Sequence, residues 1–559
     1  MIVRGLLSVL VIVQAVVTQQ PRATVENGVL VGKYVTSHYG NVYQSFLGIP
    51  YAMPPIESRR FREAEPLRGK WIGEWNATEP GSPCLQYDHF SRHKDENGDW
   101  VFSVVGDEDC LFLNVHTKED GATDKDVIFL IHGGGFTFGY GHVYGPDYLI
   151  DIPNVVIVTT NYRLGPLGFL TTGDSVCPGN NGLKDQTLAL EWVRRNIHAF
   201  GGDPEKVTLV GLSAGGVSVH YHYLSELSEG LFKRGYSFSG SVLCPWAFQR
   251  DGVEKAKKLA TNLGCPISDS KTMVKCLRRR PARKIVEQQK SFQNWIYAPF
   301  NIFGPTMEID SNRPFIEDEP RNLLRQGKVQ DLPWITSFTS EDGLYPAGDF
   351  VDDERLLRQL EENWDAIAPS LLFYKNRSGQ REPISKTVKE HYLGKKAISG
   401  KTVQELIHMI GDRLFIAPAV ESAALQAQKN SQPVYLYSYN YEGTLSTSQF
   451  HHQSDSKFGV SHGDDFAYVV KFGERHTHIN GEDKKMADFL LKIMEDFVKK
   501  GSPTASLNWA PVSPDVYPAV NLLRIGSVTD VKMQTDDRIG NVRFLREVLD
   551  GVKARKDEL

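Results

Sequence analysis

The sequence predicts one large α/β unit. Strand-like and helix-like patterns alternate along the chain, the signature of a sheet covered by helices. Between residue 25 and the C-terminus there is no Ser-, Pro- or Gly-rich linker and no repeat of fixed period, so nothing divides the 559 residues into separate bodies. The stretch "VTLVGLSAGGVSVHYHYL", residues 207 to 224, also passes from a β-branched run through a Gly-rich turn into a Pro-free segment.

That stretch is the most informative in the chain. Lys206 to Val210 reads as a buried strand, and Ala214 onward, with Val217, Val219 and Leu224, as a helix. Gly211-Leu212-Ser213-Ala214-Gly215 between them matches G-x-S-x-G, the turn that lifts a serine hydroxyl above the edge of a sheet. A Cβ on either glycine would crowd that turn. Ser213 is therefore the candidate nucleophile, and Ser218, further along the helix, is not.

A serine hydroxyl needs a base, a group to orient the base, and donors for the oxyanion it creates. Val127 to Ile131 reads as a strand and runs into His132-Gly133-Gly134-Gly135. Glycines there expose backbone N–H groups, and this loop type supplies donors beside the N–H of the residue after the nucleophile, here Ala214.

The termini place the chain in the secretory pathway. Residues 1–19, with Arg4 and an apolar run from Leu6 to Val17, have the layout of a signal peptide. Residues 20–555 are then a single domain, and Lys556-Asp557-Glu558-Leu559 is an address read by the retrieval receptor of the endoplasmic reticulum. The expectation is a resident of its lumen, with secretion as the alternative. In that compartment six cysteines without zinc-ligand spacing read as disulfides, Cys84–Cys110 and Cys265–Cys276, leaving Cys177 and Cys244 free and buried. The sequons at Asn76 and Asn376 are glycan acceptors if exposed. A net charge of -5 with both signs interspersed offers no stripe for nucleic acid.

A string of ordered motifs resembles one family. "FLGIPYAMPP", "RF" at 60–61, "EDCLFLNV", "NYRLGPLGF", "GNNGLKDQ" and "AFGGDPEKVTLVGLSAGG" are similar to the type-B carboxylesterases and cholinesterases, in particular insect carboxylesterases, over roughly residues 24 to 545. The resemblance implies an α/β-hydrolase fold: a large, mostly parallel twisted sheet with helices on both faces and long loop insertions. It implies ester hydrolysis through an acyl-enzyme, without metal or cofactor, on small-molecule carboxylic esters. Gly134, Gly135 and Ala214 match its oxyanion-hole positions, and it supports the two disulfide pairs.

The family's pattern of an acid before Gly falls on Asp342 in "SEDG", with Glu341 as the alternative one position earlier. Its G-x-x-H-G pattern falls on His462 in "FGVSHGDDFAYVV", and Asp464 and Asp465 behind it read as loop-capping acids. Leu212 is apolar where cholinesterases carry Glu, and juvenile-hormone esterases Gln. Trp100 falls where cholinesterases place a cation-binding Trp, although with Leu212 a packed loop aromatic is the expectation.

Phe136, Phe138, Tyr140, Leu212 and Trp246 are candidate pocket residues, with Trp246 expected to limit acyl size. A broad esterase, a dedicated lipid, hormone or pheromone esterase, and a non-catalytic cholinesterase-like adhesion protein are the three readings. A complete triad and the lack of a long apolar run after Val498 disfavour the last.

Overall fold

The computed structural model describes residues 20–375, 380–451, 457–472, 479–503, 505–513 and 519–550. The expected signal peptide at 1–19, the C-terminal KDEL and the sequon at Asn376 lie outside them. The main sheet has eleven strands: β1 (Lys33–Thr36), β2 (Val42–Pro50), β3 (Phe112–Thr117), β4 (Lys125–Ile131), β5 (Val155–Thr160), β6 (Gly202–Leu212), β7 (Arg234–Phe238), β8 (Trp334–Thr339), β9 (Val434–Tyr439), β10 (Val520–Ser527) and β11 (Asp530–Asp536). Their order is β11-β10-β9-β8-β7-β6-β4-β5-β3-β2-β1. From β5 to β10 every pairing is parallel, and the pairings outside that range are antiparallel.

The parallel part is largely buried on both faces, so its strands carry apolar runs and small hydroxyl residues rather than an alternation with exposed polar residues. Val127, Phe129 and Ile131 of β4 enter one core, and Ile128 and Leu130 enter the other. Helices α1 (Asn181–Asn196), α2 (Ala214–Leu224) and α4 (Ala417–Ala427) cover the first face, and α5 (Gly481–Lys500) covers the second. Helix α3 (Val403–Gly411) precedes α4 and packs near the carboxyl end of β8. Strand β8 begins at Trp334, just after a proline. Pro333 has no N–H to give to a ladder, although its carbonyl accepts from Gly235.

The ordered motifs of the sequence are largely internal fasteners. Arg60 meets Glu108 through two bonds of 2.6 Å. Arg163 gives Nε and Nη2 to Asp185 at 2.7 and 2.6 Å, and its backbone N–H donates to the same carboxylate. The disulfides Cys84–Cys110 and Cys265–Cys276 are formed, and Cys177 and Cys244 are free and buried. Asn76 is exposed, its side-chain oxygen accepting from Thr78 of its own sequon. No described helix is long and apolar enough to cross a membrane.

Removing one member of a buried ion pair strands the other. Asp185→Ala should therefore cost about 3–5 kcal/mol, read as a lowered denaturant midpoint. An apolar double replacement, Arg163→Met with Asp185→Leu, should recover much of that loss. Equal loss in both proteins would mean that packing, not the stranded charge, sets the cost.

Candidate active site

The carboxyl ends of β4, β6, β7 and β8 lie side by side and carry the site, as open parallel sheets place their ligands. At the end of β6, Ser213 turns the chain into α2 with φ 59 and ψ -122, a conformation L-residues rarely hold. Its N–H donates to Phe238 O at 2.8 Å and its carbonyl accepts from Val217 at 2.8 Å. The flanking glycines are obligatory here: a Cβ at Gly211 would stand 2.3 Å from the carbonyl carbon of Gly215, and one at Gly215 would stand 2.0 Å from Ile131 O. Ser213 keeps 7% of its surface exposed.

The loop after β4 lies against this turn, since a Cβ at Gly133 would touch Leu212 O and the Ser213 Cβ. Gly134 and Gly135 have φ of 102 and 57. Their N–H groups, and that of Ala214 at the first position of α2, have no acceptor among the described residues. Two of these donors follow Gly133, which lies against Ser213, and the third follows Ser213 itself.

Asp342 and His462 meet from two separate loops. His462 Nδ1 lies 2.5 Å from Asp342 Oδ1, and both side chains are buried. The other oxygen of Asp342 accepts from Ser239 Oγ at 2.8 Å and from Thr339 N–H at 3.0 Å. His462 Nε2 is buried without a hydrogen-bond partner among the described residues. The ring is held between Phe415 and Tyr345, with centroids 4.4 and 5.5 Å away. Glu341 faces away from His462 Nδ1: its carboxylate takes Ser340 Oγ and Val460 N–H.

Two acids follow His462, and they differ. Asp464 accepts from Thr447 N–H, Thr447 Oγ1 and Ser461 N–H, and so caps the loop. The one hydrogen of Thr447 Oγ1 is shared between Asp464 and His462 O, 2.8 and 2.7 Å away. Asp465 takes Phe466 N–H at 2.9 Å on one oxygen. Its other oxygen points into the sheet, where Ser337 of β8 and Tyr437 of β9 each donate at 2.8 Å.

The candidate pocket residues separate into three groups. Trp246 joins the site: its ring packs on Phe415, Phe300 and Phe136, and its Nε1 donates to Leu414 O. Phe138 and Tyr140 belong instead to a cluster with Phe90, in which Phe138 stacks on His89 at 4.5 Å. Leu212 points to the opposite face of the sheet from Trp246, into the second core, and lies beneath Gly463. Trp100 is covered by the chain's own cations, with Arg92 and Lys94 each 5.1 Å from its ring centroid.

With this geometry the comparisons become specific. The model of the carboxylesterase family matches residues 19–538. The chain belongs to the carboxylesterase family. A carboxylic ester hydrolase of Bombus ignitus is 40% identical over 532 residues, covering 94% of each chain. Venom carboxylesterase-6 of Apis mellifera is 39% identical, covering 95% of this chain and 94% of that one. The structure of juvenile hormone esterase from Manduca sexta, with OTFP covalently attached, superposes with a TM-score of 0.81 at 27% identity, covering 95% and 98% of the two chains. The fold is accordingly the α/β-hydrolase fold, and the chemistry of this carboxylesterase is hydrolysis of carboxylic esters.

Ser239, Thr447, Tyr345, Phe415 and Phe300 are the site neighbours that the sequence did not disclose. They come from five segments with no shared spacing, and only the "SGS" after β7 hints at one of them.

Burial pushes the Asp465 carboxyl up to about 6. The unfolded chain loses that proton near 4, so between about 4 and 6 the folded chain binds more protons than the unfolded one. Stability contributed at this position therefore falls as pH rises through that window. Asp465→Asn should remove that decline, so that urea midpoints at the two ends of the window differ less than in the wild type. An unchanged difference would show that Asp465 ionises as freely in the folded protein as in the unfolded one.

Proposed function

We propose that this carboxylesterase works through an acyl-enzyme with Ser213 as nucleophile, His462 as base and Asp342 as its orienting acid. The observation that carries the reading is the 2.5 Å contact of His462 Nδ1 with Asp342, which leaves a buried Nε2 unpartnered, in a loop whose Gly463 lies against Leu212, the residue before the strained serine turn. His462 takes the proton of the Ser213 hydroxyl as it attacks the ester carbonyl, and Asp342 stabilises the imidazolium that forms. The N–H groups of Gly134, Gly135 and Ala214 hold the oxyanion. His462 then returns the proton to the departing alcohol and activates the water that releases the acid. Neither a metal nor a cofactor enters the mechanism.

The substrates proposed are lipophilic and xenobiotic esters of broad structure. An aromatic wall of Trp246, Phe300, Phe415 and Tyr345 supports this reading, since it offers area rather than fixed polar partners. Trp100, occupied by Arg92 and Lys94, is not open to a substrate cation. The proposed location is the lumen of the endoplasmic reticulum, through the leader at 1–19 and the retrieval receptor's recognition of Lys556 to Leu559, with Asn76 glycosylated.

Hydrolysis of a p-nitrophenyl ester series tests the mechanism. Ser213→Ala and His462→Gln should abolish turnover, and Asp342→Asn should reduce kcat by about 10⁴. Wild-type labelling by a fluorophosphonate at any residue but Ser213 would refute the assignment. If one narrow lipid, hormone or pheromone ester is hydrolysed and the series is not, the dedicated esterase replaces the broad one.

Trp246 fills space between Phe415 and Phe136. Trp246→Leu should raise the rate on branched acyl esters relative to short ones by about tenfold, the scale of one or two methylene groups of pocket space. An unchanged ratio would remove Trp246 from the acyl pocket.

A further inference from the structure

The carboxylate next to Asp342 in the chain has no part in the proton path from Ser213 to His462. Its bonds nevertheless go to the loop that carries His462. Glu341 N–H donates to Val460 O at 3.1 Å, and Val460 N–H donates to Glu341 Oε2 at 2.8 Å. Ser340 Oγ donates to the same oxygen at 2.5 Å. Glu341 and Ser461 form a parallel bridge, so the two loops run together for a residue or two like strands. Gly459, at φ 117, leaves room for the carboxylate, because a Cβ there would stand 2.4 Å from Oε2. The remaining oxygen, Oε1, lies 3.6 Å from His408 Nε2 on α3.

We propose that Glu341 is a positioning residue for His462: it hooks the Gly459–Ser461 segment to the loop of Asp342, so that base and acid are held together by a second link beside their own hydrogen bond. This rests on the reading of His462 as the base. The argument is one of leverage. His462 follows Val460 by two residues, and Asp342 follows Glu341 by one, so the hook and the Asp342–His462 bond close one small ring of chain. Without the carboxylate, the His462 loop keeps the Thr447 and Asp464 contacts on its far side and the Glu341 N–H bond to Val460 O, but loses the side-chain bond to Val460 N–H on the near side.

The hook is suited to an anion. Burial alone would raise Glu341, but the His408 imidazole beside it and the bonds from Ser340 and Val460 hold it below the usual carboxylate range. His408 in turn is raised by Glu341 against the effect of burial, with Asp412 and Glu405 adding to the same side. His408 lines an open cleft of about 390 Å³ with His391, Tyr392, Glu405, Asp412 and Asn541. The anion is thus reached from solvent through one imidazole, while its other oxygen stays on Val460.

Reach and charge can be separated by two mild variants. Glu341→Asp keeps the charge but is one methylene too short for Val460, whereas Glu341→Gln keeps the reach and loses the charge. A displacement of catalytic groups by about 1 Å can cost about 10²-fold. Glu341→Asp should accordingly lower kcat on p-nitrophenyl esters by about tenfold or more, with KM within about twofold, and Glu341→Gln should stay within about threefold of wild type.

The pH profile gives a readout that a merely structural role would not move. If the imidazolium loses part of its contact with Asp342, it is less stabilised. The acid limb of kcat/KM in Glu341→Asp then shifts to lower pH, while a folding defect alone would leave that limb in place and lower only the amount of active enzyme. Wild-type kcat and an unmoved limb in Glu341→Asp overturn the proposal, as does Glu341→Gln being the more damaged of the two. His462→Gln serves as the reference: if it is inert while Glu341→Asp is normal, only the role of Glu341 fails, and if it turns over normally, the base assignment fails and the proposal with it.

Discussion

The turn at Ser213 is the constraint on which the rest of the site depends. Holding a serine at φ 59 and ψ -122 costs on the order of 1–3 kcal/mol, and it persists only where its surroundings leave no alternative. Here they leave none. The Ser213 N–H is tied to the end of β7, its carbonyl starts α2, and Gly211, Gly215 and Gly240 let backbone approach where a methyl group would collide. Helix α2 is buried along all of its length, so the turn is clamped by a helix that cannot shift without opening the core. Even its two histidines are internal. Burial pushes His220 and His222 down to about 3, and His222 is fixed between Ser228 and Gln186.

From that turn the neighbouring strands deliver the other groups in register. β4 ends at the glycine loop, β7 at Ser239, and β8 at the loop of Asp342, so these segments stand next to the Ser213 turn because the strands do. The histidine is the exception. It rides on a loop after β9, with no strand of its own to fix it, and is held by side chains: Asp342 at the ring, Thr447 at its carbonyl, Asp464 at Ser461 and Glu341 at Val460. Carboxylates crowd this loop because backbone N–H groups exposed in a buried turn need acceptors.

What could be read in the sequence follows the same division. The strands at Val127 and Lys206, the serine turn and the glycine loop are local events, each complete within a dozen residues, and they were legible. His462 and Asp342 were legible only through the resemblance, because their meeting depends on two loops far apart in the chain. Leu212 and Phe138 show where a list of nearby residues misleads. Phe138 follows the glycine loop closely, yet its ring turns to His89. Asp465 reads as a loop residue beside His462, but the start of a helix there swings it into the sheet. Nothing in a linear pattern encodes those rotations.

The position before the nucleophile carries the last consequence of the sheet geometry. Side chains on β6 alternate between the two cores, so Leu212 shares a face with Val210 and not with Val207 and Leu209. Its methyl groups therefore lie below Gly463, under the loop that bears His462. A residue at this position lies beneath the loop of His462, on the opposite face of the sheet from Trp246. With Leu there, the underside of the histidine loop is apolar packing. A carboxylate in its place would set an anion in the second core beneath the His462 loop, whose buried turn already holds Asp464 and Asp465, whereas with Leu212 the carboxylate in contact with His462 among the described residues is Asp342.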